Sequence, residues 1–166
     1  MAEQSSFDIT STIDFQEVDN ARNQARKEVG QRYDFKGATA DATLSEKDKT
    51  LTLVASDEMK MNALWEIIQT RLVRRGVPIK NFKAPESEAA AGGKVRRVIP
   101  IQQGIPIEAA REIVKFIKDK KLKKVQAAIQ ADQVRVTSPS KDELQDAMRA
   151  LRDLDFGVAL QFGNRR

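Results

Sequence analysis

The chain has 166 residues, 40% apolar and 32% charged, with no histidine and no cysteine, so the commonest catalytic and metal-ligating groups are excluded. Its net charge of +5 is uneven: residues 1–90 hold 13 basic and 15 acidic side chains, residues 91–166 hold 16 and 9, so the second half suits a polyanion. The length fits one large or two small domains, no apolar run approaches the roughly 20 residues of a membrane span, no signal peptide is visible, and a cysteine-free chain points to the cytoplasm.

Phe7, Ile9 and Ser11 alternate with Asp8, Thr10 and Thr12, which predicts a short first strand. Asp14 and Glu17 read as a capping box ahead of a helix with the inner face Phe15, Val18, Ala21, Ala25 and Val29. The chain leaves that helix at Gly30, and residues 30–37 lead into a strand around 38–44. A polar turn at 45–49 and a β-rich stretch at 50–56 complete a hairpin. Ser56 is the expected cap of a second helix with the stripe Met61, Leu64, Trp65, Ile68 and Leu72, stopped by Gly76 and Pro78. Trp65 belongs to that stripe and reads as core. Residues 79–84 are the expected closing strand, and residues 85–93, PESEAAAGG, the expected join.

The same order then recurs. Residues 94–101 form a strand, Gly104 breaks it, and Pro106 opens a helix with the stripe Ala110, Ile113, Val114 and Ile117. Residues 125–130 and 134–137 form a hairpin around a turn at 131–133, Ser140 and Glu143 form a second capping box, and Leu144, Ala147, Met148 and Leu151 face inward. Residues 159–162 are the expected last strand. The fold class is therefore α+β: two tandem ferredoxin-like βαββαβ domains at 1–88 and 92–166, each a four-stranded antiparallel sheet with two helices on one face.

Such sheets leave one face bare, and the candidate surfaces follow from that. In the second hairpin Gln126, Ala128 and Gln130 face away from the helices with Arg135 and Thr137, giving a flat face rich in donors, or simply a wet sheet surface. The central strands of both copies lack the aromatics on which RNA-recognition modules stack bases. Lys115, Lys118, Lys120, Lys121, Lys123 and Lys124 crowd the end of the third helix beyond what its dipole needs, and Lys94, Arg96 and Arg97 add a second basic group. Arg32, Tyr33, Asp34, Phe35 and Lys36 set two rings among two cations, either to grip a base and its phosphate or to seal the core edge. Gln102 and Gln103 form a polar bend at a strand end. No carboxylate pair stands out as a catalytic or metal site, and no phosphate loop of the G-x-x-x-x-G-K-[ST] kind is present.

The segments SFDI (6–9), RYDFKG (32–37), QGI (103–105), IVKFIKDKKLKKVQAAIQADQVRVT (113–137) and LQFGN (160–164) together resemble the YajQ family of small bacterial proteins. The resemblance covers essentially the whole chain in order. It departs at Ala131, where the family usually has glycine, at Tyr33, where many relatives have phenylalanine, and in the AAAGG join. It implies two RRM-like domains that exchange their first strands, about 5–12 and 94–101. It also implies a non-enzymatic nucleotide-binding protein without a cofactor, whose ligands are RNA or tRNA, GTP or ATP, or cyclic di-GMP. The alternative it implies is a regulatory adaptor acting through a transcription-factor partner, with the nucleotide as modulator. An enzyme on this fold, such as an acylphosphatase-like hydrolase, has only the fold to recommend it.

Overall fold

The computed structural model describes residues 4–120, 122 and 124–166, so Lys121 and Lys123 lie outside the described residues. Its elements are β1 (Ser5–Thr10), α1 (Phe15–Gln31), β2 (Ala40–Ser45), β3 (Thr50–Ala55), α2 (Glu58–Arg74), β4 (Glu88–Ala89), β5 (Val95–Pro100), α3 (Ile107–Asp119), β6 (Gln126–Gln130), β7 (Gln133–Ser138), α4 (Lys141–Arg152) and β8 (Gln161–Gly163). Among the described residues the fold is α+β, with four helices and two four-stranded antiparallel sheets ordered β2-β3-β5-β4 and β6-β7-β1-β8, consistent with two ferredoxin-like domains. β1 lies between β7 and β8, and β5 between β3 and β4, so each sheet is completed by the first strand of the other sequence copy. One compact unit joins the segment up to Thr12 with Gln103–Arg166; the other is Ile13–Gln102. None of the described helices is long and apolar enough to cross a membrane.

Period-two alternation sets the faces of each sheet. In the Ile13–Gln102 unit Leu51, Leu53 and Ala55 of β3 and Ile99 of β5 turn toward the helices. There they meet Val18, Ala21 and Ala25 of α1 and Met61, Leu64, Trp65, Ile68 and Leu72 of α2. Trp65 is core as expected, its ring centroid 6.3 Å from that of Phe82. In the other unit Phe7 and Ile9 of β1 and Val134 and Val136 of β7 meet Ala110, Ile113 and Ile117 of α3 and Leu144, Met148 and Leu151 of α4. Each fully buried aliphatic side chain here stabilises by about 1.5–3 kcal/mol.

Four local expectations are corrected. α1 runs through Gly30 to Gln31, because the left-handed backbone falls later, at Gly37 with φ +76. Asp57 rather than Ser56 caps α2, its carboxylate accepting from the Lys60 amide at 2.8 Å. Ser56 Oγ instead accepts from the Thr39 amide at 2.6 Å and ties the hairpin shut. The closing strand expected at 79–84 is a 3-10 turn, Ile79–Asn81, followed by one bridge from Phe82 to Ile101. Buried Asn81 holds that turn by donating to the Gln102 carbonyl at 2.9 Å. The fourth strand, Glu88–Ala89, arises inside the segment expected to be a plain join.

Candidate functional site

The end of α1 shapes one candidate. The Arg32 amide donates to Val29 O at 3.2 Å, Lys36 N to Tyr33 O at 3.0 Å and Ala38 N to Phe35 O at 3.0 Å, so Tyr33–Phe35 forms a 3-10 turn. That turn separates the two rings. Phe35 is buried in the first core at 4% exposure, whereas Tyr33 stands 87% exposed. The sealing role expected of both rings falls to Phe35 alone, and Tyr33 faces solvent.

Cations surround the turn. Arg32 donates from Nε and Nη2 to the two Asp34 oxygens at 3.0 and 2.7 Å, a bidentate pair that braces it. The Arg32 hydrogen bonds hold the Asp34 carboxyl below its ordinary value, and the same contact raises Arg32. The Lys36 ammonium lies 5.9 Å from the Tyr33 ring centroid, while Arg32 and Lys60 lie 5.4 and 5.5 Å from that of Phe35. Lys60 Nζ also donates to the Asp34 carbonyl. Beside the turn opens a cleft of about 500 Å³ lined by Val29, Arg32, Tyr33, Phe35, Lys36 and their neighbours, within the usual range for small-molecule sites. A planar group can stack on Tyr33 there with an anionic substituent toward Lys36.

The basic group at β5 is divided by the pleat. Arg96 lies on the helix-free face and pairs with Glu88 at 3.0 Å. Arg97 lies on the opposite face and is 8% exposed. Its Nη2 donates to Glu58 at 2.9 Å, Ser87 at 3.1 Å and Asn62 at 3.3 Å. Its place among the exposed cations is corrected: β5 sends residues 95, 97 and 99 toward the helices, and Arg97 goes with them. Lys94 is half-buried just before the strand, its carbonyl accepting from the Ala90 amide at 2.8 Å. Gln102 is half-buried, its backbone pairing with Asn81.

In the other unit Lys115, Lys118, Lys120 and Lys124 are exposed at the end of α3 and the approach to β6. Lys120 Nζ sits 5.7 Å from the Phe116 ring centroid. On the helix-free face the register places Gln126, Ala128 and Gln130 opposite Thr137, Arg135 and Gln133, as expected. Arg135, however, donates to both oxygens of Asp8 at 2.9 and 3.4 Å, so its charge is largely matched. Asn164 Nδ2 donates to the same carboxylate at 2.6 Å. Asp8 is only 6% exposed, and the Arg135 and Asn164 bonds hold its carboxyl below the ordinary value.

Asn164 reaches Asp8 through a bulge. Asp8 opposes Gly163, yet the Ser6 and Arg166 backbones exchange hydrogen bonds of 3.0 and 2.9 Å, so one extra residue enters with Asn164 at φ +52. Gln103 is half-buried next to Gly104, whose φ is +85 and whose amide donates to Ser11 O at 2.7 Å. A Cβ at Gly104 would lie 2.7 Å from the Asp132 Cβ, which explains glycine there. Sequence reasoning missed Lys60, Asp8 and Asn164. The pairing of Ala40 with Ala55 is the signal for Lys60, since it brings the first turn of α2 beside residues 33–36.

The sequence model described as "Nucleotide-binding protein YajQ-like" matches residues 5–166. A protein of Trichlorobacter lovleyi named nucleotide-binding protein is 48% identical over 161 residues, 97% of this chain and 98% of its own length. Proteins of the same name from Geobacter metallireducens and Solibacter usitatus are 50% and 49% identical over 161 residues, covering 97% of this chain and 98% and 96% of their own lengths.

Proposed function

Because the chain belongs to the YajQ-like family, we propose that it binds nucleotides or RNA in the cytoplasm without transforming them. The observation that carries this reading is the Tyr33 ring, 87% exposed on a braced turn with the Lys36 ammonium 5.9 Å from its centroid. An aromatic held rigid and exposed stacks a base at little cost in ordering, and a neighbouring cation meets its phosphate. The cleft of about 500 Å³ has room for GTP, ATP or one half of cyclic di-GMP. The exposed Lys115, Lys118, Lys120 and Lys124 form a separate surface for the backbone of a longer RNA such as tRNA. The helix-free faces bear no aromatic among the paired residues, so base stacking falls to Tyr33 and not to a sheet. With no histidine or cysteine in the chain, binding without turnover is the reading its side chains support.

Calorimetric titration with GTP, ATP, cyclic di-GMP and tRNA at low and high salt tests it. Binding of at least one ligand is expected, with tRNA affinity falling steeply as salt rises. Lys36→Glu should weaken small nucleotides by about tenfold, the scale of one charge-assisted contact. Absence of binding by all four ligands at low salt would contradict the proposal.

A further inference from the structure

Among the described residues β6 is the outer strand of its sheet, with β7 as its one neighbour. Outer strands usually carry a charge or proline that blocks further pairing, yet β6 reads Gln126-Ala127-Ala128-Ile129-Gln130 and holds neither. Its outer flank also leaves Ile129 37% exposed. The strand is nearly the same read in either direction about Ala128. Two copies laid antiparallel about that residue set Gln126 against Gln130 and Ala127 against Ile129, twice each, with Ala128 meeting itself.

The backbone suits this register. The two-residue turn at Ala131 and Asp132 makes Gln130 and Gln133 the closing hydrogen-bonded pair. Strict alternation then aims the amide and carbonyl groups of Ala127 and Ile129 outward, where the same groups of a second copy face them. The charges suit it too. Lys124 precedes β6 and Asp132 follows it, both exposed, so the antiparallel arrangement brings each lysine toward the other copy's aspartate. The helix that covers β6 repeats the pattern, with exposed Glu108 in the first turn of α3 and exposed Lys118 and Lys120 at its far end. Two such helices running antiparallel match acid to base and dipole end to dipole end.

We propose that β6 is a homodimer edge, at which two copies of this chain join their sheets about Ala128. The contact is small, so association is weak and depends on concentration and salt. It goes beyond nucleotide binding and requires no ligand.

The chain has no cysteine of its own, which makes single-cysteine cross-linking a direct test. The two Ala128 positions form a non-hydrogen-bonded pair whose Cα atoms, about 4.5 Å apart, are within disulfide reach. Ala128→Cys should therefore oxidise to a covalent dimer, while Thr137→Cys, on the same face but one strand inward, should not. Sedimentation equilibrium on the full chain should show a monomer–dimer equilibrium that Lys124→Glu weakens about tenfold and that adding Asp132→Lys restores. The proposal is overturned if the wild-type chain stays monomeric at the highest concentrations, if Thr137→Cys cross-links as readily as Ala128→Cys, or if Lys124→Glu leaves the equilibrium unchanged. A wild-type monomer that captures a foreign strand on β6 would likewise overturn it.

Discussion

Arg97 Nη2 lies 2.9 Å from Glu58 Oε1 on the helix side of the first sheet, where Ser87 and Asn62 also accept from the buried guanidinium. Glu58 is the more exposed partner, with 54% of its side chain accessible against 10% for Arg97. Removing the carboxylate therefore strands a buried charge, whereas removing the arginine releases an acid that water can take back. Glu58→Ala should cost about 1–3 kcal/mol, more than an ordinary surface change. Arg97→Met should cost less than Arg97→Ala because it keeps the packed stem. Chemical denaturation measures all three, and nucleotide affinity should not change.

Two backbone positions with positive φ predict opposite outcomes. Gly104 has φ +85 and no room for a Cβ beside Asp132, so Gly104→Ala should destabilise by about 2–3 kcal/mol. Ala131 adopts φ +55 in the β6–β7 turn with a side chain that disfavours it. Ala131→Gly should stabilise by roughly 1 kcal/mol. The midpoints of urea unfolding check both signs.

Asp8 gives the chain a defined acid sensitivity. Hydrogen bonds from Arg135 and Asn164 hold its carboxyl below the ordinary 3.8, so near that pH the unfolded chain binds more protons than the folded one. The stabilisation is complete above about pH 5 and is lost as pH falls through the lowered folded value. Below about pH 4 the wild-type protein should lose stability more steeply than Asp8→Asn, whose side chain does not titrate. Parallel stability curves for the two proteins would contradict this account of the Asp8, Arg135 and Asn164 cluster.

The lysines at the end of α3 predict a salt signature. If Lys118 and Lys120 neutralise phosphates, replacing both with glutamate should lower tRNA affinity and flatten the log–log salt dependence by about 1–2 units. GTP binding should be unchanged by that pair. Filter binding across a salt series distinguishes the two effects.

Much of this architecture was legible because apolar spacing reports burial directly. The stripes from Val18 to Ala25, Met61 to Leu72, Ile113 to Ile117 and Leu144 to Leu151 all lie in the cores. Strand partners were less legible. Alternation marks the β1 and β5 segments as strands but says nothing of which sheet they enter, and only the family resemblance implied their exchange. The two-residue β4 carries too few side chains to leave a periodic trace; it exists because β5 offers it an edge.

The candidate site divides in the same way. Arg97 could have been placed from its own strand, since Val95 and Ile99 flank it at a spacing of two and Ile99 is core. Its positive charge argues for the surface, and the pleat puts it inside. The RYDFKG segment shows the reverse limit: composition drew attention to both rings, but only the 3-10 turn determines that Phe35 is buried and Tyr33 is offered to solvent. The Asp8–Asn164 contact depends on a bulge between residues 156 apart, which no local pattern reveals.

Stacking of a base on Tyr33 is measured by comparing wild type, Tyr33→Phe and Tyr33→Ala in equilibrium titrations with whichever nucleotide binds best. Tyr33→Phe should bind like wild type, and Tyr33→Ala should lose about tenfold or more in affinity, the value of one aromatic stack, with its fold intact by circular dichroism. Equal affinity in all three proteins would contradict the account.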